Sequence, residues 1–334
     1  YALDANTTGD FNTAVGMHAL GANTTADNNT AVGKDALAAN TTGTLNTAVG
    51  AVALDALTTG DYNTAVGGAA LGQATDGDYN TAFGYAAGAA ITTGVQNVLI
   101  GGESGDALTD ADFNVGIGTS ALGSDTKGNR NVAIGHGSLV TQNFTSSTSV
   151  YNTAVGYNAG NAVTTGVSNT FVGGLAGDGT DDGALNVAVG ASALSANCAN
   201  SNTAVGVTAL VVTTGANNTA LGYQAGASVT SGSNNLFVGK DAGLTGSPGG
   251  AITTGSNEIV LGDENISEAH IQVDWTVASD ARDKTDFTVL DLGLDFVKAL
   301  APVTYKWDKR SKYGDKSADD YDLAAQTPDG THKE

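Results

Sequence analysis

The chain has 334 residues but only one cysteine, three prolines and 14% charged residues. A lone Cys198 cannot found a disulfide framework or a thiolate metal cluster. The four histidines, His18, His136, His270 and His332, give no common spacing for a metal site, so neither a metal nor a cofactor is expected. Thirteen Lys and Arg stand against 34 Asp and Glu, a formal charge of −21. That deficit of cations speaks against nucleic-acid binding and against anionic membrane surfaces. The sequence holds no apolar run of the length a membrane-spanning helix needs, so insertion into a membrane is not expected. No proline precedes Pro248, which leaves a backbone donor at every earlier position for a continuous ladder. The chain opens at Tyr1 in the middle of a sequence pattern and without a signal peptide, as a segment of a longer protein would.

That pattern is a repeat. TTGDFNTAVGMHAL (Thr7 to Leu20) returns as TTGTLNTAVGAVAL (Thr41 to Leu54) and TTGDYNTAVGGAAL (Thr58 to Leu71). The first residue of each NTAVG-like unit falls at Asn12, Asn29, Asn46, Asn63, Asn80, Asn97, Asn114 and Asn131, every interval being seventeen residues. The series runs on through Asn152, Asn169, Asn186, Asn202, Asn218 and Asn235 to Glu258, with intervals of 21, 17, 17, 16, 16, 17 and 23. Self-similarity at a fixed period is the mark of a repeat architecture. The period fits no helical repeat, and the abundance of Gly, Thr, Val and Ile argues against helix. Each unit therefore reads as one coil of a parallel β-solenoid: a short strand at NTAVG, a turn at Gly, a second short strand at AL, and a TTG turn back. The expected architecture is all-β, with about fifteen coils over residues 1–262.

Unit positions carry physical reasons. Position five is Gly in all fifteen units, from Gly16 to Gly262, which suggests positive φ or a close backbone approach. Position one is Asn in fourteen units, so the side-chain amides can hydrogen-bond up the stack and avoid an unsatisfied burial. Positions two and four share one strand face and hold Thr, Val, Leu or Ile; position three, mostly Ala, lies on the other. Only one of these faces can line the coil. The other would leave a large apolar patch uncovered, which implies an obligate homo-oligomer.

These units resemble the head modules of bacterial trimeric autotransporter adhesins, which read roughly S-x-A-x-G followed by small residues. The resemblance covers residues 1 to about 262 and implies left-handed parallel β-rolls packed as a homotrimer about a threefold axis. Seventeen residues is longer than the adhesin unit, so one turn is enlarged. Two segments lengthen single coils, QNFTSSTSVY (Gln142 to Tyr151) and LTGSPGGAI (Leu244 to Ile252). They are expected as lateral bulges that leave the ladder intact. As loops on a rigid scaffold they are the candidates for contact with a host receptor or glycan.

Aspartates near the turns (Asp76, Asp78, Asp110, Asp112, Asp178, Asp181 and Asp182) lack the strict nonapeptide pattern of calcium-binding β-rolls and read as solvated turns. Threonine rows raise ice binding as a further possibility. Against it, position two exchanges Thr with Val, Leu and Ile, as a buried β-branched site would.

After Gly262 the composition changes. Both tryptophans and nine of the thirteen Lys and Arg lie beyond it. DENISEAHIQVDWTV (Asp263 to Val277) reads as a short irregular strand closing the solenoid, since an open last coil exposes a sheet edge. Leu292, Phe296 and Leu300 then have helical spacing. Pro302 ends that helix, and VTYKW (Val303 to Trp307) reads as a strand, giving a small α+β segment over residues 279–334. SDARDK (Ser279 to Lys284) and GLDFVKALAPVTYKW (Gly293 to Trp307) resemble the start of the endosialidase-type intramolecular chaperone of phage tailspikes and tail fibres. The resemblance implies a domain that assists trimer folding and then cuts itself off. A serine–lysine dyad would do the cutting, Ser279 as nucleophile and Lys284 as base, at the bond Ala278–Ser279. Arg282 could depress the lysine pKa, and Asp280 or Asp283 could orient the group. The acidic stretch up to Glu334 stops short of a whole chaperone.

The sequence thus points to a virion fibre, a phage tail fibre with a homotrimeric solenoid shaft and a self-cleaving chaperone. The alternatives are a bacterial surface adhesin or extracellular filament, and an ice-binding solenoid.

Overall fold

The computed structural model describes residues 1–270. Tyr1–Ala269 form one compact unit. Fifteen short strands stack in chain order into one parallel sheet, interrupted in sequence only by two shorter strands that pair with each other. Each long strand is positions two to four of a unit, and like stacks on like: Thr47 on Thr64, Ala48 on Ala65, Val49 on Val66. The register survives every change of coil length. Across the 21-residue interval Thr153 still pairs with Val132, and across a 16-residue interval Thr203 pairs with Val187. The fold is an all-β parallel solenoid, with no helix among the described residues.

The asparagine at position one fixes the coils to one another. Asn46 is fully buried. Its backbone N–H donates to Asn29 Oδ1 (2.9 Å), its side-chain amide donates to the Gly60 carbonyl (2.7 Å), and its own Oδ1 accepts from the backbone of Asn63 (2.8 Å). The same three bonds recur along the stack. Amide-to-amide contacts such as Asn63 Nδ2 to Asn46 Oδ1 (3.2 Å) are present but secondary. The expected amide ladder is therefore mainly a backbone-to-amide ladder, because the turn carbonyl of the next coil otherwise lacks a donor. Position five combines both reasons for glycine. Gly50 has φ +145°, and a Cβ there would stand 2.3 Å from the Gly67 carbonyl oxygen in the next coil.

Position three lines the coil. Ala31, Ala48 and Ala65 are wholly buried against Leu37, Leu54 and Leu71 from position nine. Four units put a larger residue at position three, namely Leu99, Phe171, Phe237 and Val260, and the first three are compensated by glycine at position nine on both sides. Gly88 and Gly105 flank Leu99, Gly160 and Gly177 flank Phe171, and Gly226 and Gly243 flank Phe237. A Cβ at any of these glycines would come within 2.5–2.9 Å of the large side chain. Close-packed interiors admit no other solution, since volume added at one position must be removed at its neighbours.

The second strand expected at AL is absent. Leu54 has φ 50° and Val52 φ 54°, so this side of the coil is a chain of left-handed turns. Such backbone costs L-residues roughly 1–2 kcal/mol each. Burial of Leu54 and its hydrogen bond to Ala70 O (3.1 Å) offset that cost.

The Gln142 to Tyr151 insertion leaves the main ladder intact but is not a free bulge. Thr148–Ser149 pairs in parallel with Gly128–Asn129, and Val150 is fully buried. Asp125, itself wholly buried, ties the insertion down. It accepts from Gln142 Nε2 (2.5 Å) and from the backbone of Gly128 (3.0 Å) and Phe144 (3.1 Å). Gln142 Oε1 in turn accepts from Asn152 Nδ2 (2.8 Å). Burial pushes the Asp125 carboxyl above the usual range against the lowering effect of these bonds.

The described part of the closing segment is not a strand. Asp263 turns the chain through bonds from Asn265 N (3.0 Å) and Asn265 Nδ2 (3.1 Å) to its carboxylate, and Ile266 lies over Gly262. The helix expected around Leu292 to Leu300 and the strand Val303 to Trp307 fall outside the described residues.

Candidate functional site

Because position three points inward, positions two and four form the outward face of the fifteen-stranded sheet. They supply thirty side chains, all Thr, Val, Ile, Leu or Phe, and none is charged. With 14% of the chain charged, thirty ordinary surface positions would include several. Much of the face is open: Val15 is 58% exposed, Phe83 56% and Leu221 51%. At a strand spacing of about 4.8 Å, the uncharged strip runs roughly 70 Å.

The β-branched residues at position two lie on the outward face, where Thr13, Thr30, Thr47, Thr64 and Thr81 follow one another. Exchange among Thr, Val and Leu there reflects an outward apolar surface, and it does not by itself argue against ice binding.

The residue preceding each unit borders this face and is often aromatic. Tyr62 and Tyr79 stack with centroids 4.8 Å apart and planes 3° from parallel. Arg130 lies between Phe113 (5.0 Å) and Tyr151 (5.8 Å), a cation held between two rings.

The turn aspartates are more than solvated. Asp78 Oδ1 accepts from the backbone of Asp61 (2.7 Å), and Asp112 Oδ1 from that of Val95 (2.9 Å), one coil below in each case. They form a second, outer ladder parallel to the asparagines. Asp110 pairs with Lys127 (3.3 Å). Among the described residues no group of three or more His, Cys, Asp or Glu gathers round one point. His18 bonds Asp35 (3.1 Å), and His136 stacks on Tyr157. Cys198 is not in an open turn. It is 1% exposed, with Sγ 3.3 Å from Thr180 Oγ1, and burial pushes its thiol up. It fills an interior position of a shortened coil.

The second insertion, Leu244 to Ile252, closes on Ser247. The serine hydroxyl accepts from Gly243 N (2.9 Å) and donates to Asp241 O (2.9 Å). Lys240 pairs with Asp241 and lies 3.7 Å from Asp263.

Ser279, Lys284 and the Ala278–Ser279 bond lie outside the described residues, as do Asp280, Arg282 and Asp283. Residues 279–326 match the family model described as Chaperone of endosialidase. The match begins at the serine proposed from sequence. No curated protein and no solved structure gave a match to the chain. A parallel β-solenoid followed by an endosialidase chaperone segment fits a structural fibre that carries its own folding aid. Among the described residues no helix is long and apolar enough to cross a membrane.

Proposed function

We propose that the chain is the shaft and chaperone junction of a virion fibre, a phage tail fibre for host attachment, assembled as a homotrimer. The carrying observation is the uncharged outward face directly upstream of the chaperone match. Burying a Val or Leu is worth roughly 1.5–3 kcal/mol, so a strip of this length is stable in water only when covered. Identical chains side by side cover it along its whole length. A trimeric bacterial adhesin would share the shaft, but the chaperone segment favours the virion. The insertions at Gln142 to Tyr151 and Leu244 to Ile252 remain the candidates for contact with a receptor or glycan.

Self-cleavage follows from the residues at the junction. The Ser279 hydroxyl attacks the Ala278 carbonyl, Lys284 takes its proton and returns it to the departing amine, and water then hydrolyses the ester. Separation from the chaperone leaves a trimer that is kinetically trapped. Native mass measurement of the full chain tests the assembly, with three copies expected. A stable soluble monomer sinks the reading. Ice binding is checked separately by thermal hysteresis of the purified protein, and none is expected.

A further inference from the structure

The outward face has two borders, and on one of them three glycines have no reason within a single chain. One border is the residue before each unit; the other is position six, just after the glycine at position five. Within a coil they are six residues apart along extended chain, about 20 Å, so they cannot touch.

Position six is glycine in three units, Gly68, Gly102 and Gly174. None of them has a left-handed backbone. A Cβ at Gly102 or Gly174 would meet nothing within 4 Å, and at Gly68 only ordinary contacts, the Tyr85 ring at 3.7 Å and the Ala51 carbonyl oxygen at 3.9 Å. Nothing inside the chain demands glycine there, unlike at positions five and nine. A neighbour from outside would. The same coils carry Tyr62, Gln96 and Ser168 on the opposite border. Leu45 goes with Ala51 and Leu185 with Ala191, whereas Tyr79 with Tyr85 and Tyr151 with Tyr157 put a ring on both borders.

Toward the C-terminal end of the stack the sizes reverse. Asn217, Asn234 and Asn257 replace the aromatic residues and open a groove of about 350 Å³, which Leu236, Glu258 and Ile259 also line. Position six of the first of these coils is Tyr223, 49% exposed.

We propose that the two borders are the two halves of one heterologous contact between copies of this chain, with the Tyr223 ring of one copy seated in the groove of the next. This rests on the self-association proposed above. A closed ring about an axis along the stack sets equivalent coils at one height and turns one border of each copy toward the other border of its neighbour. The groove suits a tyrosine: Leu236 and Ile259 take the ring, while carboxamides and the Glu258 carboxylate surround the hydroxyl.

Two variants of the full chain test this. Asn217→Cys combined with Tyr223→Cys, treated with a short bis-maleimide and then heat-denatured, is expected to give a covalent three-chain species. Each single variant should give at least tenfold less, since Cys198 is buried. Cross-linking in a single variant would mean like borders meet, and would overturn the proposal. So would a trimeric double variant that does not cross-link. Gly102→Leu is expected to keep its circular dichroism while losing the trimer, and an intact trimer would remove the glycine argument. A wild-type monomer would instead overturn the self-association reading itself, which native mass establishes before any cross-linking.

Discussion

Phe171 offers a sharp test of how the interior is packed. Its ring is wholly buried at position three, where most units have Ala. Gly160 and Gly177 stand on either side, with Cβ positions that would fall 2.9 Å and 2.5 Å from ring atoms. Phe171→Ala removes the ring and leaves both glycine gaps open, so the loss is transfer free energy plus a cavity, about 3–5 kcal/mol. Gly177→Leu alone drives a side chain into the ring and costs at least the roughly 1–3 kcal/mol of an overpacked core.

The two errors should cancel. Phe171→Ala with Gly160→Leu and Gly177→Leu rebuilds the arrangement seen at Ala65, where Leu54 and Leu71 fill the same space, all three fully buried. Leucine already adopts the required backbone, as Leu54 at φ 50° shows, while Gly177 sits at φ +62°. Each added Leu contributes about 1.5–3 kcal/mol of burial, less the left-handed cost of roughly 1–2 kcal/mol. The triple variant should therefore recover most of the stability lost by Phe171→Ala. Denaturant unfolding of the wild type, the single variants and the triple variant measures the coupling directly. If the triple variant is no more stable than Phe171→Ala, the size-compensation argument is wrong.

Four other outcomes follow from the same geometry. Val66→Asp or Val205→Asp should leave each chain folded, because both side chains point outward, yet abolish the trimer by burying a charge in the interface; normal trimer yield by native mass would count against the covered face. Asn80→Leu orphans the Asn97 N–H and the Gly94 carbonyl, which now bond the Asn80 side chain at 3.0 Å and 2.7 Å. At about 1–3 kcal/mol for each unsatisfied buried group, less the gain from leucine burial, a net loss of roughly 1–4 kcal/mol and faster hydrogen exchange at Asn97 are expected. The Asp125 carboxyl is raised in the folded state, so the ionised form opposes folding above that folded pKa, and the penalty fades as pH falls through it. The stability of the wild type relative to D125N should therefore rise as pH falls from neutral into the acid range, and a pH-independent difference would refute the assignment. Ser279→Ala and Lys284→Ala should each give an uncleaved chain where the complete chaperone is present, with mass spectrometry finding the new N-terminus at Ser279 only in wild type; cleavage persisting in Ser279→Ala would exclude the dyad.

Much of the fold was legible because its determinants are local and periodic. Asn at position one and Gly at position five mark strand and corner wherever they occur, and the fifteen strands begin one residue after the fifteen marked positions. The left-handed side of the coil was missed because Leu and Val give no composition signal for positive φ. A signal did exist in the exchange of Leu with Gly at position nine, as between Leu71 and Gly88. Which face turned inward was also open, since Ala and Val are both plausible in a core; the narrow coil decides for Ala, and the rare Phe171 shows the cost of departing from it. The polar pin at Asp125 and Gln142 was hidden because its members are seventeen residues apart and adjacent only through stacking.

The fidelity of the repeat has its cause in the asparagine ladder. Each side-chain amide donates to a carbonyl that usually lies fourteen residues on, so a coil of another length moves the acceptor. Asn186 begins a sixteen-residue coil, and its Nδ2 is buried without a hydrogen-bond partner. Asn131, at the head of the 21-residue coil, turns its Nδ2 back to Asn114 Oδ1 (3.1 Å). Such a buried orphan costs about 1–3 kcal/mol, and a coil of another length escapes it only where its turn still presents a carbonyl, as Gly215 does to Asn202 (2.9 Å) and Gly255 to Asn235 (2.9 Å). The one unit without asparagine obeys the same logic. Glu258 belongs to the final strand of the stack, where its backbone N–H still bonds Asn235 Oδ1 (2.9 Å). With no further coil among the described residues to receive it, an amide donor there would have nowhere to go, and a carboxylate has none to place.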